Sequence, residues 1–130
     1  MIRLRVVAAV SGIYDAVVGV AMIAGRSLLA QVFDVALPNP PIHADLNGVF
    51  LLAVAAGYLI PYREPDSRGG RAYLWVMGPF LKGAGALTFV VDFLVRHSPR
   101  SFLLFAVSDG TLALLTLWAL RRRDKNMANG

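Results

Sequence analysis

Residues 72–95 read AYLWVMGPFLKGAGALTFVVDFLV, and the lysine at position 82 decides how the whole chain is read. The run is about long enough to cross ~30 Å of hydrocarbon at about 1.5 Å per residue. Lys82 therefore lies where no water should be. Asp15 and Asp109 repeat the pattern, each inside its own long apolar run. Ionisable residues set in the middle of apolar spans mark a membrane protein with a polar interior. The runs are continuous rather than alternating, which favours helices, and open sheet edges cannot face lipid.

Four such segments stand out, at roughly 6–25, 42–61, 72–95 and 101–120. They predict an all-α, four-helix transmembrane bundle that uses the whole chain, 1–130, as one domain. The second run is short, and starting it near Ile42 places His43, Asp45 and Asn47 in its first turn. Composition agrees. Hydrophobic residues make up 57% and charged residues 16%, against about 45–50% and about 25% in soluble domains. There are no cysteines, which excludes disulfides, thiolate catalysis and cysteine metal sites. The net charge of +5 does not point to nucleic acid, because the cationic residues cluster at the ends of the apolar runs.

The connections add detail. Arg26 to Phe33 reads as a short interfacial helix, followed by the proline-stiffened turn Pro38-Asn-Pro-Pro41. Residues 62–71 read as a polar loop. Arg96-His-Ser-Pro-Arg100 is a tight turn, so helices three and four are antiparallel neighbours. The run Arg121-Arg-Arg-Asp-Lys125 is expected to stop helix four. Arg3 and Arg5 resemble the start of a signal peptide, but Asp15 interrupts the apolar stretch and no small-x-small site follows. The first segment is therefore expected to stay as a span.

Four spans put both termini on one side. That side carries nine Lys and Arg residues, and the opposite side carries Arg26, Arg96 and Arg100. The positive-inside rule then predicts cytoplasmic termini, with Tyr62, Tyr73, Trp75 and Trp118 as an aromatic belt at that boundary.

Depth decides whether the three buried charges can meet. Asp15 lies ~14 Å along helix one, Lys82 ~15 Å along helix three, and Asp109 ~12 Å below the opposite surface. All three fall near the midplane. A lone charge there costs ~2.5–3.5 kcal/mol on insertion scales, so Lys82 is expected to pair with Asp15, Asp109 or both, or else one carboxyl stays protonated because desolvation raises an acid's pKa. Ser11, Asp15 and Gly19 form one stripe, and Gly78, Lys82, Gly85, Phe89 and Asp92 form another. Pro79 should kink helix three. Ser108 and Asp109 make a polar notch in helix four. The candidate site is thus Asp15, Lys82, Asp109, Ser11 and Ser108, with the Tyr14 and Tyr58 hydroxyls beside it. Three roles stay open: a register-fixing ion pair, a site for a ligand such as a quinone headgroup, or a path for protons or ions.

A second group, His43, Asp45, Asn47, Asp92 and Arg96, falls on the opposite rim with Asp34 and His97. Its histidines lack metal-ligand spacing. Ordinary roles account for it: Asp45 or Asn47 capping helix two, and Asp92 pairing with Arg96 one turn on. Gly83 and Gly85 are mid-helix and do not form a phosphate loop.

The segments Ser11-Gly-Ile-Tyr-Asp15, Asp45-Leu-Asn-Gly48, Leu81-Lys-Gly-Ala-Gly85 and Ser108-Asp109 resemble the DoxX-like group of small bacterial four-helix membrane proteins. The resemblance spans nearly the whole chain. It implies the bacterial cytoplasmic membrane, and a link to membrane oxidoreductase complexes and quinone-linked sulfur metabolism. It supplies no catalytic residues, and the missing cysteines speak against a sulfur relay on this chain. The expected function is a structural or accessory subunit of a larger membrane complex, or a homo-oligomer, more a scaffold than an enzyme. The alternatives are a quinone- or lipid-linked redox component and a small oligomeric transporter. No metal or catalytic residue is predicted, and quinone is the one cofactor the reading admits. A bundle this short is expected to leave little volume for an enclosed pocket. Phe33, Phe50, Phe80, Phe93, Phe102 and Phe105 are expected on its outward faces.

Overall fold

The computed structural model describes residues 3–130, and within them every regular element is helical. Helix α1 spans Leu4–Ala24 and α2 spans Arg26–Phe33. Three longer helices follow: α3 over Ile42–Arg63, α4 over Arg68–Arg96 and α5 over Arg100–Ala128. All but α2 are long and apolar enough to cross a membrane.

Local chemistry sets most boundaries. α1 ends at Gly25, whose N–H closes on the Ala21 carbonyl. α2 ends with Asp34 in the left-handed region at φ 51°. The N–H of Val35 then reaches back to the Ala30 carbonyl at 3.0 Å. This is a Schellman-type closure with an aspartate where glycine is commoner. α3 is interrupted at Tyr58 and resumes over Leu59–Arg63. Pro61 has no N–H to offer the preceding turn, which accounts for the break.

α4 begins at Arg68, inside the stretch expected to be a polar loop. Ser67 is the reason. Its Oγ accepts the Gly70 N–H at 3.0 Å, a standard N-cap that overrides two poor helix formers, Gly69 and Gly70. Further along, Val76–Lys82 is π-helical with Pro79 inside it. A proline leaves a carbonyl one turn back without a donor, and widening the turn is one way to absorb that.

The charged run at 121–125 does not stop α5, which continues to Ala128. Arginine and lysine are good helix formers, and the extension is anchored. Arg123 holds Asp66 through Nε and Nη2, both at 2.8 Å. Arg71 pairs with Asp124.

The termini share one end of the bundle with the α3–α4 connection, since Arg3, Arg5, Asp66 and Arg122 line one hollow there. α1 packs along α3, and α4 packs along α5. The α1–α3 approach depends on paired glycines. A Cβ on Gly19 would stand 2.9 Å from the Gly48 carbonyl, and one on Gly48 would stand 2.8 Å from the Gly19 carbonyl. Small residues let helix backbones come this close.

The apolar core lies at the end holding the termini, where Leu4, Val7, Val54, Tyr58, Leu74 and Leu120 cluster. There Tyr73 of α4 donates to the Val54 carbonyl of α3 at 2.5 Å. Among the described residues, no comparable packing joins the other halves of α3 and α4. The bundle is closed at one end and parted at the other. Its outward faces are apolar, with Phe80 74% and Leu114 68% exposed, while Asp15 is 1% exposed in the interior. Apolar outside and charged inside is the pattern that membrane-crossing helices require.

Candidate functional site

Asp15, Lys82 and Asp109 meet where the closed half of the bundle gives way to the parted half. Lys82 Nζ lies 2.6 Å from Asp15 Oδ1 and 4.0 Å from Asp109 Oδ1. The first is a short charge-assisted hydrogen bond; the second is at the limit of an ion pair. The π-helical stretch of α4 ends on Lys82. Gly78, one turn earlier, lets α4 lie against Thr116 of α5, where an added Cβ would meet Cγ2 at 2.5 Å. The lysine is thereby carried deep between α1 and α5. Its ammonium also sits 5.0 Å from the centroid of the Tyr14 ring.

The hydroxyls divide into two sets. Tyr14 and Ser108 are 2.7 Å apart. Ser108 can donate to the Leu104 carbonyl at 2.9 Å, which leaves the Tyr14 O–H to donate to Ser108. The second set is unpartnered. Ser11 Oγ, Asp15 Oδ2 and the Tyr58 hydroxyl are all buried with no hydrogen-bond partner. Buried polar atoms are nearly always satisfied, so orphans gathered about one carboxylate call for an explanation.

A cavity of about 400 Å³ opens beside this cluster. Asp15, Lys82 and Asp109 form its polar floor, and Leu51, Phe89 and Phe105 are among its apolar walls. It occupies the parted half, between all four long helices. Little enclosed volume is expected in so short a bundle, and this cavity is an open one, set where α3 and α4 do not pack together. Four helices can fill one seam only where they converge, and α3 and α4 converge at one end alone.

The other group of polar residues does not assemble into one site. Asp45 does not cap α3, whose N-cap is Pro41 with no side-chain bond; it pairs instead with Arg26 of α2. Asn47 does not cap the helix either, and it lines the cavity. His43 is exposed. Asp92 accepts from Arg96 at 3.1 Å and also from Ser98. His97 is the left-handed C-cap of α4, at φ 57°. Among the described residues, no three His, Asp or Glu side chains come together as a metal site would need.

The phenylalanines need a correction too. Phe33, Phe102 and Phe105 do not all face outward. Phe33 is buried and stacks on Phe105 with centroids 4.8 Å apart, and on Phe102 at 5.9 Å. Phe89 joins them at 5.4 Å from Phe105. α2 folds back over the start of α5, fixed by Ser101 Oγ donating to the Phe33 carbonyl at 2.7 Å. The resulting aromatic stack borders the cavity. Nothing in the local sequence signals it, because it depends on where α2 turns back.

No protein-family model, curated protein or solved structure matches the chain.

Proposed function

We propose that this chain is a small multi-pass membrane protein that holds a lipid-soluble molecule by its polar head, in the cavity between the parted halves of α3 and α4. One observation carries the reading. The buried charge cluster Asp15, Lys82 and Asp109 lies at one cavity of about 400 Å³, whose other lining residues, Asn47 apart, are apolar or aromatic. Ligand sites are typically cavities of roughly 300–1,000 Å³ with apolar walls and a few convergent polar groups. A register-fixing ion pair needs no such space beside it.

The nine-to-three cationic asymmetry supports cytoplasmic termini, and the DoxX-like resemblance supports a bacterial cytoplasmic membrane. The same resemblance would make a quinone one such molecule. An accessory role in a larger complex is the second reading, favoured by Phe80, an aromatic side chain 74% exposed on an outward face. A subunit of a complex could also carry the cavity, so the two readings are compatible.

The test is extraction in mild detergent, followed by native mass spectrometry and analysis of the organic extract. A small molecule retained in stoichiometric amount supports the binding reading. A chain that carries no small molecule but holds a stoichiometric protein partner overturns it in favour of the accessory role.

A further inference from the structure

The cavity floor holds two carboxyl groups and one ammonium. Lys82 is committed to Asp15 at 2.6 Å and stands 4.0 Å from Asp109. Asp109 is on the cavity side, with 18% of its side chain exposed. Its neighbour Tyr14 is engaged with Ser108 at 2.7 Å. The second oxygen of Asp15, in a residue 1% exposed, has no partner. The floor therefore presents the Asp109 carboxyl to the cavity, while Lys82 is taken up by Asp15.

The walls add a second feature. Tyr14, Phe50, Phe89 and Phe105 all line the cavity. Aromatic faces attract cations through the ring quadrupole, and rings grouped about a carboxylate are the usual way proteins recognise quaternary ammonium groups. The Tyr14 ring already has one cation, the Lys82 ammonium, 5.0 Å from its centroid. An anionic headgroup would meet two carboxylates at the floor. A neutral quinone could accept from Asn47 or a remaining Lys82 N–H, but it would leave the Asp109 carboxylate without a counter-charge of its own.

Resting on the lipid-soluble-ligand reading, we propose that the occupant is a lipophilic cation: an amine or quaternary onium group on an apolar or aromatic body. Asp109 supplies the counter-charge, Phe89 and Phe105 supply the aromatic wall, and Lys82 keeps Asp15 neutralised.

The test uses the whole chain in zwitterionic lipid nanodiscs, with empty nanodiscs subtracted. Three probes are titrated by equilibrium dialysis: tetraphenylphosphonium, the near-isosteric anion tetraphenylborate, and the neutral decylbenzoquinone. The expected result is saturable binding of one phosphonium per chain and none of the borate. Asp109→Asn should weaken phosphonium binding at least about tenfold, which corresponds to about 1.4 kcal/mol. Phe89→Leu, which keeps all charges, should weaken it by a smaller factor. The comparison of cation with anion on the native chain stands even if a variant fails to fold. Saturable quinone binding without phosphonium binding overturns the cation proposal and leaves the broader reading standing. Saturable binding of none of the three, or a folded Asp109→Asn that binds as the native chain does, also overturns the proposal. The retained-molecule experiment then decides the broader reading by itself.

Discussion

Lys82 and Asp15 are 67 residues apart in the chain, and their charged atoms are 2.6 Å apart in the fold. Asp109 stands further off at 4.0 Å. The two carboxylates are therefore not equivalent partners, and double variants can separate them. Removing one member of a buried pair typically costs ~3–5 kcal/mol, because the other charge is left stranded. Lys82→Met is expected to lower thermal stability in detergent by about that much. Adding Asp15→Asn should recover more of the loss than adding Asp109→Asn. Equal recovery from both, or none from either, would show that the pair is not the coupled unit its geometry describes.

The glycines of the α1–α3 contact give a second comparison. A methyl group at Gly48 would stand 2.5 Å from Ile23 Cγ1 and 2.8 Å from the Gly19 carbonyl, whereas one at Gly69 would meet nothing within 4 Å. Forcing an extra group into close packing typically costs about 1–3 kcal/mol. An exposed helical Gly→Ala change gains up to about 1 kcal/mol from helix propensity. Gly48→Ala should therefore unfold at a lower temperature than the native chain, and Gly69→Ala at the same or a higher one. A neutral Gly48→Ala would mean that α1 and α3 can move apart at little cost.

The spans were legible because length and hydropathy identify them without any knowledge of neighbours. Asp15, Lys82 and Asp109 were legible for the same reason, since a charge inside an apolar run stands out in one dimension. The depths counted from the helix ends also placed all three at one level. What could not be read was which carboxylate the lysine would choose, because that depends on the π-helical turn at Val76–Lys82 and on the contact of Gly78 with Thr116. The cavity was missed because it arises from the absence of contact between halves of α3 and α4, and a sequence carries no mark for a missing contact. Ser67 was a readable cap that the glycines after it obscured.

Sidedness is open to direct labelling. The nine-to-three distribution of cationic residues predicts cytoplasmic termini. Gly69 is exposed at the end that holds the termini, and Ser27 is exposed on α2 at the opposite end. With no native cysteine in the chain, single cysteines at these positions report without background. An impermeant maleimide added to intact cells should label Ser27→Cys and spare Gly69→Cys until the cells are lysed. Reversed labelling would invert the orientation. Equal labelling of both in intact cells would show that the four helices do not cross the membrane as counted.

The closed end depends on Tyr73, which holds α4 to α3 in two ways. Its hydroxyl donates to the Val54 carbonyl at 2.5 Å, and its ring sits edge-on to Tyr58 with centroids 5.2 Å apart. The hydrogen bond is the lesser of the two. The Val54 carbonyl also accepts the Tyr58 N–H at 3.2 Å, so Tyr73→Phe leaves no orphaned acceptor and should cost about 1 kcal/mol or less. Tyr73→Ala removes the ring and opens a void against the core, for which a loss of about 3 kcal/mol is typical. Because α3 and α4 have no comparable contact elsewhere, the loss should also be visible as faster protease cleavage in the segment joining them, between Arg63 and Arg68. Thermal unfolding together with limited proteolysis checks both parts. If Tyr73→Ala matched Tyr73→Phe in both measurements, something other than this tyrosine would be holding the two helices together.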